Sequence, residues 1–568
     1  MKYNNFEAAI YFNVFDLINI KDAAELEHHY EFFTKHIKLS KVYLETFRCS
    51  VHIDPEKMQM AKDFFIRKGI KVSGGITTAV QGSTIWEFKS FCYTNPEQRE
   101  ELKKVVKLTA ELFDEIILDD FYFTNCKCES CIKAKGDRSW SDFRTGLMKE
   151  VSENIVLKEA KTANPKVRVI IKYPNWYDHY QSTGYNLKDE PAIFDAVYTG
   201  TETRDSEYTQ QNLQKYTSYF LMRYLENIKP GKNLGGWFDT YDCMNRMGAY
   251  LEQAYLTLFA KAREITLYCA GTLARQYRLF VPITGFVFDE LDQHIDKLGN
   301  PMGLFCYKPA NSIGEDYLHG YLGMLGIPLE PISEYPANQP LVLLTESAIA
   351  DNKIVDKIKV SLMSGNTVIM TSGLLKALQN KGIEDIAEVT CSDRKVSLSR
   401  FACDMKECAF KSYYDASKEI LFPQIDFSTN DTWQIAVGIS EQKNFPLLLE
   451  TKYGKGQLYI LTIPDNFGDL YHLPEGVLNT LRSVFAKNQV VSIEAPSNVG
   501  LFLYDNDTFI VESFHSCNKE ITIIVNKENA VLKNIITEEK LEGIAAGSKT
   551  HFKVNLQPTS YKMFKFEI

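Results

Sequence analysis

The chain has 568 residues, 45% of them hydrophobic and 24% charged, with a formal net charge of −9; one hydrophobic core does not organise that length, so about three domains are expected. The acidic balance, with no run of Lys and Arg forming a stripe, argues against nucleic acid as the main partner, because neutralising phosphates needs grouped cations. No apolar run approaches the ~20 residues that span a bilayer, and MKYNNFEAAIYFNVFDL lacks the basic and apolar regions of a secretory leader, so a cytoplasmic protein with no membrane partner is expected.

In chain order, short β-rich runs alternate with longer helical stretches up to about residue 275. The predicted strands are AAIYFNVF (8–15), KVYLETFR (41–48), IKVSGGIT (70–77), EIILDDFYF (115–123), VRVIIKYP (167–174), DAVYTGTE (195–202), LGGWFDTY (234–241) and EITLYCAG (264–271). Between them, segments such as 96–114 and 141–163 carry apolar residues at helical spacing. A strand followed by a helix, repeated about eight times, is the pattern of a TIM barrel, with a doubly wound open sheet as the competing arrangement. A barrel places its active site at the C-terminal ends of its strands. Those ends are rich in polar residues: Glu45 and Arg48, Asp119 and Asp120, Lys172, Glu202, Arg204 and Asp205, then Asp239.

Residues 1–295 are therefore read as a TIM-barrel catalytic domain. The buried-strand runs PMGLFCYKP, QPLVLLTES and GNTVIMTSG, with KYGKGQLYILTIP further on, predict a Rossmann-like α/β domain over 296–485. It has no G-x-G-x-x-G opening a helix, so no dinucleotide site is read there. Alternating apolar and polar residues from VVSIEAP to SYKMFKFEI, with a turn at Asp505-Asn506-Asp507, predict a small antiparallel β domain over 486–568. The fold class is α/β, with an appended β domain.

Twelve cysteines in so long a chain do not form a disulfide scaffold. Cys126, Cys128 and Cys131, in C-K-C-E-S-C directly after the fourth strand, are grouped as soft ligands for tetrahedral zinc. Cys92, in the loop after the third strand, is the best fourth donor, since neighbouring barrel loops lie side by side. The alternative is a set of reduced loop thiols that bind nothing. A closed four-cysteine site is structural and leaves no position for a reacting water.

The segment F-C-Y-T-N-P-E-Q-R-E, a helix, and then I-I-L-D-D-F-Y-F-T-N-C-K-C-E-S-C together resemble the region around the fourth strand of family 42 glycoside hydrolases, the β-galactosidases. There a Y-C-P-N-x-P segment precedes V-D-N-E-Y and a C-x-C-x-x-C zinc loop. DYLHGYLGMLGIPLEPI and the following LVLLTES…GNTVIMT are similar to that family's oligomerisation domain. The resemblance implies a glycosidase with a carbohydrate substrate, assembled as a homo-oligomer, by analogy a trimer. It also marks a departure. The family's acid/base glutamate matches Phe121, the asparagine before it matches Asp120, and the nucleophilic glutamate falls near Asp239.

Glycoside hydrolysis needs one carboxylic acid to protonate the leaving oxygen and a second carboxylate as nucleophile or base. Asp120 with Asp239, ending the fourth and seventh strands, is the preferred pair. Two aspartates in place of two glutamates would widen a retaining gap of ~5–5.5 Å toward the ~6.5–9.5 Å of inverting enzymes. A rival pairs Asp119 or Asp120 with Glu202 or Asp205 of the sixth strand, as in several α-glycosidase families. A second rival is a carbohydrate-binding relative without catalysis. While the strand persists, Asp119 and Asp120 should face opposite ways, with Asp120 toward the cleft. Glu45, Arg48, Lys172, Trp176, Arg204 and Trp237 are expected to contact substrate, alongside Tyr177 and His179. Arg204 and Lys172 raise an anionic sugar such as a uronate. The alternative for each acidic residue is an internal ion pair or a helix cap, and for Trp237 core packing. Neither Ser-His-Asp spacing nor a G-x-S-x-G elbow is evident, which sets esterase chemistry aside.

Overall fold

The computed structural model describes residues 2–80, 89–211, 213–243, 246–406, 409–441 and 443–568. Two compact units make up the chain, Met1–Asp296 and Lys297–Ile568.

In the first unit the parallel strands β1 (Glu7–Phe12), β2 (Leu39–Arg48), β3 (Lys71–Ile76), β4 (Glu115–Leu118), β5 (Arg168–Tyr173), β6 (Ala196–Gly200), β7 (Asn233–Asp239) and β8 (Glu264–Tyr268) pair in chain order. The ring closes because β1 pairs with β2 on one side and β8 on the other, Tyr11 standing opposite both Tyr43 and Tyr268. Closure removes the open-sheet alternative. All eight predicted strands form, most of them shorter than read. The fourth stops at Leu118 rather than continuing to Phe123.

Alternation along the strands explains what fills the barrel. Lys41, Tyr43 and Glu45 climb one face of β2 at period two. Ala9, Tyr11, Tyr43, Ile117, Ile170, Ala196, Tyr198 and Trp237 pack as one interior cluster. Tyr11 fits because β3 carries Gly75 opposite it: a Cβ there would lie 2.3 Å from the Tyr11 hydroxyl oxygen. Nearer the N-terminal end, Lys41 Nζ lies 2.5 Å from Glu115 and 2.8 Å from Glu264. Tyr43 and Tyr198 donate to the Glu264 carboxylate at 2.6 and 2.9 Å.

Amphipathic helices cover the outside, among them α1 (Ala23–His36), α2 (Pro55–Arg67) and α3 (Pro96–Leu112). The start of α3 follows from Asn95-Pro96: the Asn95 side chain accepts from the backbone N–H groups of Glu97 and Gln98, and proline needs no partner in the first turn. The predicted 141–163 helix forms as Trp140–Val151, a π-helical stretch Ser152–Leu157 and Lys158–Ala163. Among the described residues no helix is long and apolar enough to cross a membrane.

The second unit contains a mixed sheet. Its strands are β9 (Leu304–Tyr307), β10 (Leu329–Ile332), β11 (Leu341–Leu344), β12 (Thr367–Thr371), β13 (Val389–Lys406), β14 (Ala409–Phe427), β15 (Thr432–Ile439), β16 (Asn444–Tyr453) and β17 (Gly456–Leu461), in the order β10-β9-β11-β12-β17-β16-β15-β13-β14. The strands from β10 to β17 in that order are parallel and the rest antiparallel. The Rossmann-like reading matches the parallel half; the sequence reading left out the long β13–β14 hairpin. Antiparallel strands from Val491 to Glu567 form two further sheets around an apolar core, with Asp505–Asp507 at the expected turn.

Candidate active site and cysteine loop

The C-terminal mouth of the barrel holds a cavity of about 710 Å³. Lys172, near the end of β5, stands at its base with a buried side chain. Its Nζ lies 2.7 Å from Glu202 Oε1, 3.1 Å from Asp120 Oδ2 and 3.4 Å from Asp119 Oδ1, and 4.3 Å from the Trp237 ring centroid. Arg48, closing β2, donates to Glu45 at 2.9 Å, to Asp119 at 2.8 Å and to Thr77 at 2.9 Å. Its guanidinium carbon sits 5.8 Å from the ring centroids of both Phe121 and Tyr268.

Arg204 grips Asp239 with two hydrogen bonds, Nε to Oδ1 at 3.1 Å and Nη2 to Oδ2 at 2.8 Å. This planar fork is the geometry that best fixes a carboxylate. Arg204 takes a left-handed backbone, φ 56°. Gln253, fully buried on the helix Met247–Phe259, accepts from Arg204 N at 3.2 Å and donates to the Asp239 carbonyl at 3.1 Å. The side chains of Arg204 and Asp239 are thus tied to each other, and their backbones to one amide.

The two adjacent aspartates differ in chemistry. Burial alone would raise the Asp119 pKa, but Lys172 and Arg48 hold it down at about 2. Asp120 is pushed up to about 7: burial is the main cause, Lys172 opposes it, and the Asp119 and Glu202 charges add to it. Burial also raises Glu202, against Lys172. Glu202 Oε2 is buried with no hydrogen-bond partner among the described residues.

Of the residues expected from sequence, Asp119, Asp120, Glu202, Asp239, Arg48, Lys172, Trp176, Arg204, Trp237 and His179 all line this cavity. Glu45 does not. It is fully buried below, accepting from Tyr11 Oη at 2.7 Å, Val14 N at 2.8 Å and Arg48, so its place is the internal ion pair. Asp205 is also buried off the lining, 3.5 Å from Arg246. The expectation that Asp119 and Asp120 face opposite ways is corrected: β4 ends at Leu118, strand alternation lapses there, and both carboxylates reach Lys172. Trp237 is 2% exposed, both a member of the barrel core and part of the cavity floor. Phe121, Phe123, Thr183, Gln211, Tyr241, Asp242 and Tyr268 complete the lining among the described residues. Tyr268 ends β8 as Asp239 ends β7, so the same strand-end position is its signal in the sequence. Arg48, Lys172 and Arg204, the last two of which raised a uronate, are each paired with this chain's own carboxylates.

Beside the mouth, the sulfurs of Cys92, Cys126, Cys128 and Cys131 lie within 4.8 Å of one another. Cys92 Sγ is 3.7 Å from Cys128 Sγ and 3.6 Å from Cys131 Sγ. Tetrahedral zinc with Zn–S of ~2.3 Å requires S···S near ~3.8 Å, so the donor set fits a metal of that kind. Cys128 stands at the N-cap of the short helix Glu129–Lys135, and the Cys131 backbone N–H chiefly lowers its thiol to about 6.

Residues 1–303 match the family described as "Probable glycosyl hydrolase, catalytic domain", residues 299–466 the second domain of "Uncharacterized protein SSO3021", and residues 490–566 "Probable glycosyl hydrolase, C-terminal domain". Uncharacterized protein SSO3021 of Saccharolobus solfataricus is 26% identical over 476 residues, which cover 76% of this chain and 77% of that protein. Similar solved structures include a β-galactosidase from Bacillus circulans sp. alkalophilus (TM-score 0.68, 11% identity, 100% of both chains). The GH42 β-galactosidase Gan42B of G. stearothermophilus has a TM-score of 0.67 at 11% identity over 100% of this chain and 99% of that one. An α-L-fucosidase, isoenzyme 2 from Paenibacillus thiaminolyticus, has a TM-score of 0.67 at 12% identity over 100% of both. At these identities the likeness to the solved structures is one of fold.

Proposed function

This chain belongs to the probable glycosyl hydrolase family, and from that premise we propose that it cleaves glycosidic bonds with Asp120 as proton donor and Asp239 as its partner carboxyl group. The observation that carries the pair is that both line one cavity with different partners, Asp120 on Lys172 and Asp239 in the fork of Arg204. Asp120, near half-protonation at neutral pH, can give a proton to the leaving oxygen. Asp239, held in the Arg204 fork, is placed to act at the anomeric carbon, as nucleophile or through a water. In the overall step the bond from the anomeric carbon to the leaving oxygen breaks. That oxygen takes the Asp120 proton, and water supplies hydroxyl to carbon and a proton back to the carboxylate pair. With its cations already paired, the cavity suits a neutral sugar.

Asp120→Asn and Asp239→Asn test the pair on a panel of aryl and alkyl glycosides that includes β-galactosides and α-L-fucosides. The expectation is a loss of about 10²-fold or more in kcat for each. The Asp120→Asn loss should shrink on dinitrophenyl glycosides, whose leaving group needs no proton. NMR of the first-formed anomer distinguishes inversion, which two shortened carboxylates favour, from retention. Full turnover in either variant refutes the pair. Glu202, raised by burial and with its Oε2 lacking a hydrogen-bond partner among the described residues, supports one other reading, an acid at Glu202 with a strand-four aspartate; loss in Asp120→Asn and Glu202→Gln with turnover kept in Asp239→Asn would establish it. No turnover on any glycoside would favour a binding protein.

The four cysteines are proposed to hold a structural zinc that staples the loop after β4 to the loop before α3. All four ligand positions would come from the protein, leaving none for a reacting water. A homo-oligomeric state, trimeric by the resemblance, is read by light scattering on the intact chain.

A further inference from the structure

We infer that the leaving-group end of the cavity receives a flat, apolar aglycone, an aryl or arylalkyl alcohol, in place of a second sugar. This rests on Asp120 being the proton donor, because the leaving oxygen must then lie on the Asp120 side. The two ends of the cavity differ in chemistry. On the β6–β8 side, Asp239, Arg204 and Asp242 stand among Trp237, Tyr241 and Tyr268, the mixture of hydrogen-bonding groups and ring faces that suits a hydroxylated sugar.

On the other side, the loops after β4 and β5 place three rings together. Phe121 directly follows the proton donor. Its centroid is 6.1 Å from that of Phe123, which meets Trp176 edge-on at 5.6 Å. Apart from Asp119 and Asp120, which Lys172 holds, the described lining residues of these loops add only His179 and Thr183 as polar side chains. A second sugar would bring several hydroxyls to this wall and leave most without partners after they lose water. A flat apolar group loses nothing comparable and gains burial against the rings. The residue at 121 is decisive: a phenyl ring, with no acid or amide, stands next to the point where the bond breaks.

The test compares benzyl and methyl glycosides of one sugar. Their leaving alcohols are closely matched in acidity, so proton donation contributes equally and the ratio of kcat/KM reads the aglycone contacts. Benzyl is expected to be favoured by about tenfold or more, and Phe121→Ala and Trp176→Ala should each lower that ratio by about threefold or more, with circular dichroism confirming that both variants fold. Calorimetric Kd values for benzyl and methyl thioglycosides, which are not cleaved, give the same ratio without turnover. A ratio near one in both measurements, no binding of either thioglycoside, or a disaccharide turned over faster than the benzyl glycoside overturns the inference. Failure of the catalytic pair shows differently: Asp120→Asn or Asp239→Asn would stay active while the wild-type ratio stood.

Discussion

Asp119 and Asp120 share a peptide bond, the first buried and the second half-buried, yet one is held at about 2 and the other at about 7. The difference lies in the cations. Asp119 has both Arg48 and Lys172, whereas Asp120 has part of Lys172 and faces two neighbouring negative charges. Two pH effects of opposite sign follow. The folded-state pKa of Asp119 is depressed, so its stabilisation is present above the unfolded value near 4 and lost as pH falls toward 2. Asp120 is raised, so its favourable contribution is full below pH 4 and is lost as pH rises through about 7. The enzyme should therefore lose kcat/KM above about pH 7 as Asp120 gives up its proton. Asp120→Asn should melt roughly 2 °C or more higher than wild type at pH 8 and gain far less at pH 5. Scanning calorimetry at the two pH values checks it; an equal shift at both would mean the charge of Asp120 is not what strains the fold. These roles were only half legible in the sequence. The strand ends named the acidic residues, but which cation each would meet depends on β4 ending at Leu118, and strand alternation pointed the other way.

At the scale of elements, that early end of β4 is what frees residues 119–131 to form both a cavity wall and the cysteine loop. One short segment carries Asp119, Asp120, Phe121, Phe123 and three of the four sulfurs. Removing the metal should therefore be felt in the cavity as well as in stability. Wild type is expected to release about one zinc per chain on denaturation, measured with a colorimetric chelator, and Cys131→Ser to release much less. Turnover of Cys131→Ser should fall several-fold, mainly through KM, because Phe121 and Phe123 stand between the sulfurs and Asp120, which Lys172 and Tyr185 also hold in place. Unchanged KM in zinc-free protein would separate the staple from the substrate wall. The cysteine spacing was readable because ligand chemistry is local in sequence. The β13–β14 hairpin was not, since the first half of β14 alternates between exposed and half-buried positions and its apolar residues fall side by side, as in Tyr413-Tyr414 and Ile420-Leu421-Phe422. It therefore lacks the clean period-two hydrophobic signal by which strands are recognised.

For the barrel as a whole, eight strand–helix repeats were legible and closure was not, because periodicity reports which face is buried and not which strands meet. The closed structure separates its ionic networks by end. At the N-terminal end, Lys41 is almost fully buried; burial alone would lower its pKa, but Glu264 and Glu115 outweigh that and raise it. Nothing in this network reaches the cavity at the other end, in keeping with the division of barrels into a stabilising face and a chemical face. Lys41→Met should therefore do the reverse of Asp120→Asn. It leaves Glu264 buried without its cation and Glu115 with only Arg168, 3.4 Å away, a loss of about 3–5 kcal/mol, which for a unit of this size lowers the melting temperature by roughly 10 °C. At a temperature well below that melt, its kcat/KM should stay within about twofold of wild type. Asp120→Asn, by contrast, should be inactive and at least as stable. Measuring melting and turnover on both variants places them in opposite quadrants if chemistry and stability are divided between the two ends; a Lys41→Met protein that melts normally or loses turnover while folded would show the two networks acting as one.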